Sequence, residues 1–443
     1  MESFDAIVIG GSASGAPTAM LLARAGLKVL LVEKRTFPRD TLSTHFIWPR
    51  GVSYLNRWGL AARVCDKSPT FTDLELSVED ISLKGSVPLA DLEARFQQLH
   101  GDTIGVTNRC CGPRRYFLDQ VLLDAAKDAG VDVREGVTFT QPLVEDGAVK
   151  GIEAVRTNGA TLSAKSQLVI GADGRFSPFA RQVGARTLVL REQSTFAYWG
   201  YFSDVKKIKQ AIYKKGRLGV AMFPTSDGAQ MALAYGPTDW WNAFRTKAEE
   251  NFFKVFAFCA PEFEEALRAA NRVERFKACS SMPAFQREVW GKNWVLLGDA
   301  AGFHDQVTAM GQTHAFRDAQ LLVDCVSEAF SGESTMDEAL ACYAARRAED
   351  YNDYFEFSCR TAEMNPLSAQ ELGFFYAIRN NQQQIEQLLS QFGDTLAFTK
   401  GEPFTGSVDN GFPAVLGAFG ERAATYTANP FLSDTVTLVE QCA

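Results

Sequence analysis

Histidine is scarce in this sequence, with four in 443 residues, so few imidazoles are available for proton transfer. Positive charge is also in deficit, at a formal net −8. A general nucleic-acid or membrane-surface binder needs excess positive charge to neutralise phosphates; no nucleic-acid partner is therefore expected, and small-molecule chemistry fits better. The nine cysteines form no regular framework, and their one close pair, Cys110 and Cys111, lacks metal-ligand spacing. No metal site is expected, and reduced thiols in a cytoplasmic protein are the simplest reading. No apolar run is long enough to cross a bilayer, so no integral membrane segment is expected. Residues 4 to 32 are apolar, but no basic residue precedes them, acids sit at Glu2 and Asp5, and glycines interrupt the run; this is unlike a signal peptide. Internal repeats, low-complexity tracts and long linkers are absent as well.

What is present is enough apolar material, 46% of the chain, for more than one core, which at this length predicts two or more lobes. The N-terminus FDAIVIGGSASGAPTAMLLARAGLKVLLVEK reads as strand, glycine-rich turn, small-residue helix and second strand, the unit that holds a dinucleotide. Gly10 permits the tight turn, and Gly15 lets helix and strand approach. The free N–H groups of the helix start, beside Ala13, favour a pyrophosphate. Glu33 closes the second strand, next to Lys34, where a carboxylate can accept bonds from both ribose hydroxyls. Ser12 stands where the middle glycine of the motif is usual.

Farther along, residues 36 to 60 are too rich in proline, glycine and aromatics for a third unit of that kind and read as a loop followed by a helix from about Arg50. Phe117, Leu118, Val121, Leu122 and Ala125 recur at helical spacing. Residues 131 to 170 alternate between turn signals as an antiparallel meander. Residues 186–285 have a different, aromatic-rich texture. The expected fold is α/β: a Rossmann-like nucleotide-binding lobe over 1–185 including the meander, an inserted mixed β-sheet substrate lobe over 186–285, a return segment over 286–345, and a helical C-terminal region over 346–443. Within that tail, residues 380 to 392 are polar enough for a solvated helix. The sequence leaves open whether residues 371 to 391 pack on their own chain or across a homodimer.

Two more strand ends carry an acid. In GADGRFSPFAR an apolar strand runs into Asp173 and Gly174, and in GDAAGFHDQVTAMGQTHAFRDAQLL the run Trp294 to Leu297 leads to Gly298 and Asp299, then a helix starting near Met310. With Gly10-x-x-x-x-Gly15 and Glu33, the helix start Arg115-x-x-Leu118-Asp119, Ala172-Asp173-Gly174 and Gly298-Asp299-Ala300-Ala301, residues 4 to 345 resemble the FAD-dependent class A flavoprotein monooxygenases that share the para-hydroxybenzoate hydroxylase fold. Geranylgeranyl reductases and flavin-dependent halogenases share this scaffold.

The resemblance implies FAD, with NADPH or NADH as reductant and O2 as co-substrate. It implies that Glu33 meets the adenosine ribose, that Asp299 accepts from a ribityl hydroxyl and that Arg115 bonds the ribityl or phosphate oxygens, with Asp173 assigned to cofactors generally. It further implies that the amides of Met310, Gly311 and Gln312 face the flavin, where a helix start stabilises negative charge. Gln306 stands where relatives commonly carry proline, which bears on the loop's rigidity. The implied reaction is hydroxylation, through a flavin C4a-hydroperoxide, of an electron-rich, aromatic or polyketide-like molecule. Trp199, Tyr201, Phe223 and Tyr235, with Tyr198, are candidates to line its pocket. His45, or His304 with Asp305, could take its proton. A reductase of the geranylgeranyl type is the alternative, drawing on Gly302-Phe303. A halogenase expects a W-x-W-x-I-P signature that the seven tryptophans do not form.

Overall fold

The computed structural model describes residues 1–192, 194–206, 210–395, 412–423, 426 and 428–432. Five strands lie side by side in parallel, in the order Asp132–Glu135, Val29–Glu33, Glu2–Ile9, Thr161–Gly171 and Trp294–Leu296. The central strands are buried on both faces, which explains their unbroken apolar runs, for example VLLVE at Val29–Glu33. Alternate side chains feed two cores. Ala6, Val8 and Leu31 pack with the helices Gly15–Arg24, Arg115–Asp128 and Gly311–Ser331, whereas Ile7, Ile9, Leu30 and Val32 pack with the meander Val137–Glu145 and Ala148–Arg156. The meander joins the sheet antiparallel to Thr161–Gly171.

A second sheet runs in the order Asn271–Arg272, Thr195–Ser203, Gln230–Pro237, Leu218–Pro224, Ala211–Lys215, Leu74–Val78 and Ile81–Gly85. This corrects the expected division of the chain. The last two strands come from residues 74–85, inside the range assigned to the first lobe, because Leu74–Val78 pairs in parallel with Ala211–Lys215. Nothing local in LELSV announces a partner more than a hundred residues away.

The helix Met336–Ala362 folds back along Gly311–Ser331, and the helices Ala369–Ile378 and Gln382–Phe392 follow. The last of these is not solvated all round. Ile385, Leu388 and Leu389 are buried, and a Cβ on Gly85 would lie 3.2 Å from Ile385 and Leu389, so this part of the tail packs on its own chain. Much of the expected helical region beyond 395 lies outside the described residues.

Between the long helices lies a buried cluster of charges. Asp350 meets Arg50 Nη2 at 2.6 Å, Arg317 Nη1 at 2.8 Å and Arg95 Nη2 at 2.6 Å. Asp318 accepts from Arg317 at 2.6 Å and from Arg347 at 3.1 Å, and Asp394 pairs with Arg50 and with His314 at 2.9 Å. Arg50 and Arg317 have no exposed surface. Three arginines share Asp350, so removing it leaves several buried cations short of a counter-charge. Asp350→Ala should cost about 3–5 kcal/mol of unfolding free energy, measured by urea denaturation; a loss below about 1 kcal/mol would show that the cluster relaxes without it.

Candidate functional site

The parallel strands end in register, with Ile9 opposite both Gly171 and Val32, and Gly171 opposite Leu296. The residues that follow each strand therefore open onto one edge of the sheet. A cleft of about 730 Å³ lies there, within the range usual for ligand pockets. Its lining brings together Gly10, Ser12, Ala13, Glu33, Lys34, Arg115, Asp173, Gly174, Asp299, Gly311 and Gln312. These residues, spread over some three hundred positions in sequence, meet at one place.

At the first turn Gly10 has φ 104°, and a Cβ there would sit 2.4 Å from the carbonyl oxygen of Ala172. Gly15 is equally constrained, its Cβ falling 1.9 Å from the Gly10 oxygen; it sets the helix packing and does not line the cleft. Ser12 resolves the irregularity in the motif. Its hydroxyl donates to Asp119 Oδ2 at 2.7 Å and accepts from Arg115 Nη2 at 2.8 Å. Arg115 also bonds both oxygens of Asp119, from Nε at 3.0 Å and Nη2 at 2.9 Å. The fully buried Asp119 thus aims the guanidinium, a role that its place in the helix-start motif alone does not reveal.

Glu33 is buried, and each of its oxygens already accepts one amide, from Gly11 and Arg35, both at 2.9 Å. It locks the glycine turn to the second strand and keeps spare lone pairs toward the cleft. Asp173 accepts from the Phe179 amide at 3.1 Å through Oδ2, while its buried Oδ1 has no partner; burial raises its carboxyl above the ordinary value. Asp299 takes no hydrogen bond from the described residues, and burial lifts its carboxyl to about 6. Gly298 donates its amide to Asp318 at 3.0 Å, which holds the loop against the long helix. A Cβ on Gly311 would meet no protein atom within 4 Å, so its backbone is open to the cleft. Gln312 Oε1 is buried without a partner. The Met310 side chain is wholly buried in the core beneath the second sheet, so only its backbone could serve the cleft, as the expected role of its amide requires.

Unpartnered buried atoms on Asp173 and Gln312, an ionisable Asp299 without a protein donor, and an open backbone at Gly311 fit an elongated, hydroxyl-rich dinucleotide such as FAD. The arginines Arg35, Arg39 and Arg175 also line the cleft. No spacing rule pointed to them.

The imidazoles separate. His304 lines the cleft, with Nδ1 2.9 Å from the Tyr351 hydroxyl, and burial keeps its ring neutral by pushing its pKa well down. Asp305 is committed elsewhere: it accepts from the Thr195 amide at 2.7 Å, the Thr195 hydroxyl at 2.8 Å and the Val307 amide at 2.9 Å. These bonds shape the loop at the wall of the cleft, while burial raises the Asp305 carboxyl above its ordinary value. His45 lies outside the cleft lining, at φ 67°. Its Nε2 meets the Tyr201 hydroxyl, and burial with the nearby Arg114 pushes its pKa well down.

A second cavity of about 710 Å³ lies against the second sheet. Phe223 and Tyr235 line it, together with Trp48, Leu76, Ile212 and Phe357. Trp199 and Tyr201 do not: both are fully buried, joined by a 3.2 Å bond from indole Nε1 to the Tyr201 oxygen, and Arg114 lies 3.8 Å over the Tyr201 ring. The two cavities share Thr44, Gln306 and Ala309.

Residues 3–358 match the family model described as FAD binding domain, and the chain belongs to that family. Digeranylgeranylglycerophospholipid reductase of Methanoculleus marisnigri is 26% identical over 361 residues, 78% of this chain and 81% of that protein. Kynurenine 3-monooxygenase of Salinispora tropica is 26% identical over 377 residues, 77% of this chain and 76% of its own length. Among solved structures, the myxobacterial chondrochloren halogenase CndH superposes with a TM-score of 0.71 at 20% identity, covering 90% of this chain and 99% of its own. The protein is an FAD-dependent oxidoreductase on a shared α/β scaffold.

Asp299→Ala should weaken FAD binding about 10- to 100-fold, the worth of one hydrogen bond to a charged group, in a fluorescence titration of the cofactor-free protein; unchanged affinity would remove Asp299 from the site. The raised carboxyl also sets a sign. The folded cleft holds the Asp299 proton more tightly than the unfolded chain does, so the fold loses stability as pH rises from 3.8 to about 6. Melting temperatures of the cofactor-free protein should fall over that window, and Asp299→Asn should flatten the fall.

Proposed function

We propose that this FAD-dependent oxidoreductase is a monooxygenase: it takes reducing equivalents from NADH or NADPH and places one atom of O2 on an electron-rich, aromatic or polyketide-like small molecule. The observation that carries this reading is the junction of the two cavities at Thr44, Gln306 and Ala309. A cofactor cleft and a largely apolar chamber meet there. Bound and reduced, FAD supplies the activation of O2.

The chain's own residues do the rest. Arg115, aimed by Asp119, and Asp299 bind the polar length of the cofactor, and the amides at the start of Gly311–Ser331 offer positive potential where reduction adds charge. Trp48, Phe223, Tyr235 and Phe357 exclude water from the chamber. Gln306 Nε2, buried and without a partner, stands at the junction as a donor for an oxygen acceptor on the substrate. Of the two imidazoles, His304 is the one that lines the cleft; its Nδ1 is held by the Tyr351 hydroxyl, and its neutral ring serves there as a hydrogen-bonding group. His45 serves to position Tyr201.

One observation favours a second reading. No histidine lines the chamber among the described residues, and its wall is chiefly aliphatic and aromatic, which suits a reductase acting on an isoprenoid chain as well as it suits a ring. The two readings part on atom balance. The holoenzyme, reduced by NADH or NADPH and supplied with 18O2 and panels of phenols and polyketide aromatics, should yield a product carrying one 18O atom. A product from unsaturated isoprenoids that gains two hydrogens and no label would overturn the monooxygenase in favour of the reductase.

A further inference from the structure

The helices Gly311–Ser331 and Met336–Ala362 form an antiparallel hairpin joined by a short turn. Cys325 stands seven residues before Gly332 and Cys342 seven after Thr335, so the fold sets them at facing positions. Their sulfurs are 3.6 Å apart. Cys325 is buried and Cys342 is exposed. The guanidinium of Arg346, one turn after Cys342 on the same helix, reaches back so that its Nη1 lies 3.6 Å from Cys325 Sγ. The arrangement therefore contains an accessible thiol, a shielded thiol in contact with it, and a cation beside the shielded one.

We propose that Cys325 and Cys342 form a peroxide-reactive dithiol that closes to a disulfide and staples the two long helices together. In the first step the Cys342 thiolate attacks one oxygen of hydrogen peroxide: an S–O bond forms, the O–O bond breaks, and the departing hydroxide leaves as water. The result is a sulfenic acid on Cys342. In the second step the Cys325 sulfur attacks the Cys342 sulfur: the S–S bond forms, the S–O bond breaks, and the hydroxyl leaves with the Cys325 proton as a second water. Two thiols are oxidised by two electrons while one peroxide is reduced to two waters.

The division of labour follows from exposure. An exposed thiol meets a solute oxidant first, and a shielded neighbour resolves the sulfenic acid before further oxygen is added. Burial pushes the Cys325 thiol up to about 12, which keeps it protonated until its partner is oxidised, and Arg346 favours its thiolate at the moment of attack. The sulfurs must approach by roughly 1.5 Å to bond at the usual length, a movement that rotation about the side chains of two facing helical residues can provide.

The consequence is local. Gly311–Ser331 begins at the FAD cleft and carries Arg317 and Asp318 of the buried charge cluster, while Met336–Ala362 supplies Arg347 and Asp350. A covalent link would fix the hairpin from its far end. It closes a short loop and so should raise the melting temperature by a few degrees, as staples that restrict the unfolded chain do.

The test uses the holoenzyme and added hydrogen peroxide, so that its outcome does not depend on which reaction the cleft performs. One tryptic peptide, Asp318 to Arg346, contains both cysteines and no internal lysine or arginine. Treatment with peroxide under non-reducing conditions should lower the mass of this peptide by two hydrogens and protect both cysteines from alkylation, with reversal by dithiothreitol. Cleavage at the intervening glutamates should leave its two ends linked. In Cys325→Ser the sulfenic acid on Cys342 should persist and be trapped by dimedone; Cys342→Ser, at an exposed position, should abolish the bond and leave Cys325 open to alkylation after denaturation. The proposal is overturned if Cys342 of the unmutated protein proceeds to sulfinic acid while Cys325 remains alkylatable, or if Cys325→Ser leaves the fate of Cys342 unchanged.

Discussion

The carbonyls of Val32, Ile9 and Gly171 accept the amides of Gly10, Ala172 and Leu297 at 2.8, 2.9 and 2.9 Å. These bonds carry the parallel ladder one residue past the ends of the strands, and so tie the glycine turn, the Asp173 loop and the Asp299 loop to a common edge. The turn cannot drift from the second loop, because Gly10 lies so close to Ala172 that no side chain fits between them. Everything assigned to the cofactor depends on this shared edge. Were one strand to slip by a residue, its loop would move and its buried face would turn outward.

A second constraint holds the third loop from behind. Asp318 accepts the Gly298 amide and two arginines, and through Arg317 it is linked to Asp350, Arg50 and, beyond them, Asp394 near the end of the tail helices. Buried ion pairs of this kind gain little over well-packed apolar residues, since desolvation offsets most of the attraction. What they impose is geometry. An arginine with no exposed surface must find its acceptors, so the helix Pro49–Arg57 that carries Arg50, the helix Gly311–Ser331 and the tail can be combined in few other ways.

How much of this was legible depended on range. The strand ends, the glycine turn and the acids that follow them were readable, because the signal for each lies within a dozen residues and reflects local backbone needs. The fold class and the gathering of these residues at one cleft follow from such signals. Ser12 read as a defect only because its partners, Arg115 and Asp119, come from a helix a hundred residues on. The strands in 74–85 were assigned to the first lobe for the same reason, their partner being Ala211–Lys215. Charges such as Arg50 and Asp350 resemble ordinary surface residues in sequence, since burial is settled by packing. The aromatics of Thr195–Ser203 marked Trp199 and Tyr201 as pocket candidates, but whether a ring lines a cavity or closes the core behind it depends on neighbours that composition does not specify.

The loop between Asp305 and Gly311 brings these strands of argument together. Gln306 occupies a position where a proline would have stiffened the chain, yet the loop does not need one. Asp305 takes three donors, two from Thr195 on the second sheet and one from Val307 within the loop, and the Thr308 carbonyl accepts the Trp48 indole at 3.0 Å. Ala309 is left in the left-handed region at φ 54°, a conformation an alanine adopts only when its surroundings dictate it. Rigidity is thus supplied from outside the loop by two different elements. Position 306 is thereby free to carry a polar side chain at the junction of cleft and chamber, where the ring of a proline would offer no donor.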